Sequence, residues 1–161
     1  MTNICHAEPL TKVQFGPFGD VIETASTPDR LINEGKCARF HDLAKLDFTD
    51  AQGGISLFKA HTYAIPHILQ LVERHPLGSQ TFLPMTNDPF LVIVAEDHDN
   101  VPGRPKVFIT NGEQGVNYYR NTWHGVLTPI AGSGLFAVVD RIGEGDNLQE
   151  YRFDTPYRIL L

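Results

Sequence analysis

Two cysteines in 161 residues, Cys5 and Cys37, are too few for a disulfide framework. Reduced thiols in a cytoplasmic setting are the simple reading. No charged-then-apolar leader opens the chain, so no secretory signal is visible. The longest apolar run, Phe90-Leu-Val-Ile-Val-Ala95, is far too short to span a bilayer. Basic runs are missing as well. The net charge of -6 and its interspersed pattern argue against nucleic acid or an acidic membrane surface as partner. Helical periodicity is nearly absent: only Leu10–Phe15 and Leu43–Phe48 can support a turn or two. There is no solenoid-period repeat, no low-complexity tract and no linker that splits the chain, so one domain over residues 1–161 is expected.

What remains is a chain punctuated throughout by 14 Gly and 11 Pro, with short segments rich in Val, Ile, Phe, Leu and Tyr between them. That is a strand pattern. The spacing predicts strands at Asp20–Thr24, Ala38–His41, Ile55–Ala60, Leu69–His75, Gln80–Met85, Phe90–Glu96, Lys106–Thr110, Val116–Tyr119, His124–Ile130, Leu135–Ile142 and Gln149–Phe153. Glu96–Pro105 reads as a surface connection. So many short strands favour a closed barrel or a sandwich, and closure removes exposed edges.

One stretch carries chemistry. In Glu73-Arg-His75-Pro-Leu-Gly-Ser-Gln80, strand alternation points Glu73 and His75 to one face and Arg74 to the other. Turn residues then lead to Gln80, and His124 opens a later strand. A carboxylate, two imidazoles and an amide can therefore converge in a barrel mouth. Glu73, His75, Gln80 and His124 form an N2O2 set suited to a first-row divalent ion, or else a polar cluster satisfied by its own hydrogen bonds. The order resembles the cupin motif, with Glu73 in place of the first His and Gln80 in place of the Glu. A cupin-like antiparallel β-barrel, mostly β with short helical segments, follows as the expected fold class.

A closer resemblance covers Glu73-Arg-His-Pro-Leu-Gly-Ser-Gln-Thr-Phe-Leu-Pro-Met85 and Phe108-Ile-Thr-Asn-Gly-Glu-Gln-Gly-Val-Asn-Tyr-Tyr-Arg-Asn-Thr-Trp-His124. Both are similar to the ureidoglycolate lyase family, also called ureidoglycolate hydrolase. Phe18-Gly-Asp-Val-Ile-Glu23, Arg39-Phe-His-Asp-Leu-Ala44 and Val138-Val-Asp-Arg141 match it too. Asn87 stands where relatives often have Gly, and Tyr119 where some have His. The resemblance implies cleavage of (S)-ureidoglycolate to glyoxylate and urea in allantoin breakdown and nitrogen use. It also implies a homodimer and an associated divalent metal, nickel being the one suggested.

That chemistry needs a carboxylate anchor, a base for the carbinol proton and an acid for the departing urea nitrogen. Glu73, His75, His124, Lys59 and Asp140 are the catalytic candidates. Arg39, Gln80, Gln114, Tyr118 and Arg120 are candidates for binding substrate. Lys59 is read as inward, sharing parity with Leu57 and His61, against the alternative of a solvated lysine. Asp140 is either an acid/base group or a strand-end partner of Arg141 or Arg120. Tyr118, Arg120 and Trp123 line the mouth, or else the aromatics pack in the core. Two other readings use the same barrel: an isomerase of a small keto acid or sugar, and a non-catalytic small-molecule-binding barrel.

Overall fold

The computed structural model describes residues 3–161. Strands come in chain order as β1 (Asn3–His6), β2 (Glu8–Pro9), β3 (Gly19–Ile22), β4 (Arg30–Ile32), β5 (Cys37–Arg39) and β6 (Gln52–Lys59). Then follow β7 (His67–Arg74), β8 (Gln80–Pro84), β9 (Phe90–Ala95), β10 (Asp97–His98), β11 (Val101–Pro102) and β12 (Lys106–Ile109). The last are β13 (Gly115–Tyr118), β14 (Trp123–His124), β15 (Thr128–Pro129), β16 (Leu135–Ile142) and β17 (Gln149–Leu160). One helical turn, α1 (Lys12–Phe15), is capped by the Thr11 hydroxyl, which accepts from the Gln14 amide. No described helix is long and apolar enough to cross a membrane.

Two sheets make a nearly closed, barrel-like β fold. The larger runs β1-β17-β7-β14-β9-β12-β2, with β15 beside β9; the smaller runs β3-β13-β8-β16-β6. β1 and β12 approach each other, so the larger sheet curls. Most neighbours are antiparallel, as expected, but β1 lies parallel to β17 and β2 parallel to β12. The two ends of the chain are not joined by a hairpin, so no tight turn dictates their direction.

Strand alternation builds two cores. Phe82, Phe90, Val92, Val94, Val116, Phe136 and Val138 pack between the sheets, with Phe15 of α1 added to them. Leu69, Leu91, Ile93, Ala95, Val107 and Ile159 pack in the curl of the larger sheet. β9 serves both cores, which is why Phe90–Ala95 is an unbroken apolar run rather than an alternating one.

Three expectations change. Leu43–Phe48 forms no helix: the Lys45 amide donates to Asp20, the Asp47 amide donates to Ser79, and the Lys45 carbonyl accepts from Asn117. Its backbone groups are engaged with the sheet rather than with each other. The expected strand His124–Ile130 is split into β14 and β15. The Glu96–Pro105 connection contains the small β10–β11 hairpin.

Candidate active site and metal centre

The pairing of strands gathers the site. His124 of β14 lies directly opposite Glu73 of β7, and Asp140 of β16 lies opposite Gln80 of β8. Tyr118 of β13 is the other neighbour of Gln80. The His75–Ser79 turn carries the chain from the larger sheet to the smaller. Glu73, His75 and His124 therefore come from the larger sheet and its exit, and Gln80, Asp140 and Tyr118 from the smaller.

Distances confirm the convergence. Glu73, His75 and His124 each offer one ligand atom, and these atoms lie within 4.8 Å of one another. The Glu73 carboxylate is 3.9 Å from His75 Nε2. Gln80 Oε1 sits 3.1 Å from the same nitrogen, while Gln80 Nε2 donates to Asp140 Oδ2 at 3.2 Å. His75 Nδ1 lies 2.7 Å from the Asn147 carbonyl, and His124 Nδ1 lies 2.9 Å from that of Gly125. Carbonyls only accept, so both rings carry Nδ1–H and turn Nε2 toward the cluster.

His124 is 1 % exposed and stacks on the Tyr118 ring, centroids 4.3 Å apart and planes 7° from parallel. Its Nε2 is buried without a hydrogen-bond partner. Burial, then the nearby His75, push its pKa down to about 3, so the ring is neutral with a free lone pair. Burial raises the Glu73 pKa; Glu150 adds to this and His75 opposes it. Burial also raises the Tyr118 hydroxyl, with the Glu73 carboxylate adding to the effect, so the phenol keeps its proton. An orphaned imidazole nitrogen aimed at a carboxylate and a second imidazole fits a divalent ion by donor chemistry.

The cluster opens into a cleft of about 350 Å³ lined by Phe58, Lys59, Ala60, Glu73, Gln80, Phe82, Val126 and Leu127. Phe58 meets the Phe82 ring edge-on at 5.9 Å. This corrects the expected parity of β6. Phe58 and Ser56 pair with Phe136 and Val138 on the interior face, whereas Ile55 and Leu57 are exposed. Lys59 is therefore exposed at the rim of the cleft rather than among interior side chains.

Other candidates lie elsewhere. Arg39 is on the exposed β4–β5 hairpin, bonded to His41 Nδ1 at 2.9 Å. Gln114 is buried, giving its amide to Leu10 O and Glu23. Arg120 is exposed and pairs with Asp47 and Thr49 around a separate cleft. Asp140 bonds neither arginine; it orients Gln80. Trp123 turns to the opposite face, where its indole donates to Asp97 and lies under the Arg74 guanidinium. Arg74 itself is buried, bonded to Gln149, Asp97 and Asn100.

The apolar walls Phe58, Phe82, Val126 and Leu127 have no polar signature in the sequence. The carbonyls of Asn147 and Gly125 act through the backbone, which no residue type announces.

Comparison with known proteins bears on this geometry. A family profile described as Ureidoglycolate lyase matches residues 2–160. A Ureidoglycolate lyase of Rhodobacter capsulatus is 62% identical over 151 residues, covering 92% of this chain and 93% of the relative. One from a Chelativorans species is 55% identical over 157 residues, covering 96% and 95%. Ureidoglycolate lyase 2 of Rhizobium meliloti is 49% identical over 153 residues, covering 94% of each.

Proposed function

The chain belongs to the ureidoglycolate lyase family, and from that premise we propose that it cleaves (S)-ureidoglycolate to glyoxylate and urea. The reaction is a carbon–nitrogen lysis of the amidine-lyase type, placed in allantoin breakdown in the cytoplasm. All of residues 1–161 serve as one cupin-like unit, and two copies form a homodimer. The observation that carries the site assignment is the buried His124 Nε2, unpartnered and aimed at Glu73 and His75.

The carbinol O–H loses its proton as the C=O bond forms. The C–N bond breaks, and its electron pair goes to the urea nitrogen, which takes up a proton. Glu73 suits the first task because burial makes its carboxylate a stronger base than an exposed one. Glu73 passes that proton to His75 Nε2, 3.9 Å away and beside Gln80 Oε1, and Nε2 hands it to the departing nitrogen. Tyr118 keeps its proton and donates a hydrogen bond to substrate. Lys59 at the rim offers a point charge to the substrate carboxylate. The apolar walls Phe58, Phe82, Val126 and Leu127 lower the local polarity and strengthen these interactions. Arg39, Gln114 and Arg120 are engaged elsewhere and are assigned no catalytic task.

A divalent ion held by Glu73, His75 and His124, with Gln80 beside them, would supply Lewis acidity to the α-hydroxy carboxylate. The test is release of glyoxylate and urea from ureidoglycolate by the purified protein, before and after chelator, with its metal content measured. Both products are expected in equal amounts. Release of neither would end the lyase assignment. Full activity in metal-free protein would remove the ion and keep the reaction.

A further inference from the structure

We infer that Asn147, in the loop between β16 and β17, is the positioning residue that fixes the direction of the His75 ring by holding its Nδ1–H. The inference rests on the site reading above, since it takes His75 as a working group of that site.

Asn147 makes two bonds to one turn. Its carbonyl lies 2.7 Å from His75 Nδ1, and its side-chain Oδ1 accepts from the Leu77 amide at 2.8 Å. The side chain thus pins the turn to the loop, and the pinned loop presents its carbonyl to the ring. Without the side-chain bond, the carbonyl remains in the chain but nothing in this pair of bonds holds it against the imidazole.

The surroundings reinforce the clamp. Gly145 has φ +100, and a Cβ there would stand 3.0 Å from Leu77 Cδ1. At this positive φ an L side chain is strained, so glycine suits the loop here. Arg141 Nη1 donates to Glu144 O at 2.9 Å, and Arg141 Nε donates to Phe48 O at 3.0 Å. The two crossings between the sheets, β7 to β8 and β16 to β17, are locked together at the site. Because Nδ1 gives its proton to a carbonyl, Nε2 is the nitrogen left to face Glu73 and Gln80.

The test uses nitrogen-15 NMR of the histidine rings together with steady-state kinetics on the wild type, Asn147→Ala and Asn147→Asp. In the wild type, Nδ1 of the His75 ring is expected to be protonated and hydrogen-bonded to the Asn147 carbonyl. Asn147→Ala weakens that bond, shifts the His75 ring signals and lowers kcat by about 10–100-fold, the range seen when an outer-shell partner is lost. KM changes little, because the substrate contacts are intact. Asn147→Asp keeps an acceptor for the Leu77 amide and restores the ring signature and most of kcat. Should Asn147→Ala fail to fold, Gly145→Ala shifts the same loop and is expected to weaken the Nδ1–H bond and shift the ring signals as well. A His75 ring signature unchanged in Asn147→Ala, or in Gly145→Ala where that variant stands in, overturns the inference. Equal loss in the Ala and Asp variants also overturns it. The ring signature is read without substrate, so it decides the inference even if the wild type proves not to be a lyase.

Discussion

At the scale of single residues, His124 shows a conflict between stability and function. A buried imidazole nitrogen without a partner costs roughly 1–3 kcal/mol, so the fold alone gives no reason to keep it. His124→Phe removes that atom and keeps an aromatic ring to stack on Tyr118. It also loses the Nδ1 bond to Gly125 O, worth about 1 kcal/mol. The two changes oppose each other, so folding stability should shift by less than about 1–2 kcal/mol in urea titration. On the proposed site assignment, activity should fall by about 100-fold or more. A variant that loses stability and activity in proportion would instead make His124 a packing residue.

At the scale of elements, Asn117 is the counterpart that should matter for stability alone. It lies on β13 next to Tyr118, but alternation turns it to the outer face of the smaller sheet. There it is 0 % exposed, accepts from Thr81, and donates to Asp20 and to the Lys45 carbonyl. Removing it leaves the buried Thr81 hydroxyl and the Lys45 carbonyl without this partner and takes one donor from Asp20. Asn117→Ala should cost about 2–4 kcal/mol by urea titration, while the protein that remains folded turns over substrate at the wild-type rate. The same network explains what the sequence could not show. The alternation in Leu135–Ile142 was legible because one face is core, and that strand has the expected bounds. Leu43–Phe48 looked weakly helical because its periodicity hides the distant groups, Asp20, Ser79 and Asn117, that claim its backbone. The site divides in the same way. Glu73, His75, Gln80 and His124 were legible from residue type and alternation. The orientation of Lys59 was not, because its parity follows from Phe58 packing on Phe82, a contact across two strands.

At the scale of the whole molecule, we place the interface of the proposed homodimer on the outer face of the smaller sheet. Leu83 and Met85, Leu135, Ala137 and Val139, and Ile55 and Leu57 fall in adjacent rows of β8, β16 and β6 and the residue that follows β8. Ile55 is 79 % exposed, Leu57 64 % and Met85 54 %, which is unusual for aliphatic side chains grouped on one face. These rows contain no carboxylate, and Lys59 stands at their end. For a chain with net charge -6, a face without carboxylates keeps the repulsion between two copies low. An apolar centre with a polar rim is what an interface of roughly 800 Å² per partner needs. Strand β6 also edges the smaller sheet, and its Phe58 and Lys59 border the cleft. A partner seated here would lie beside the site without covering Glu73 or His124, whose side chains face the interior. Sedimentation velocity should find the wild type as a dimer and Ile55→Asp/Leu57→Asp as a folded monomer. A wild type that stays monomeric at about 100 μM, well above the dissociation constant of a specific interface of ordinary size, would end this assignment. A double variant that remains a dimer would move the interface to another face.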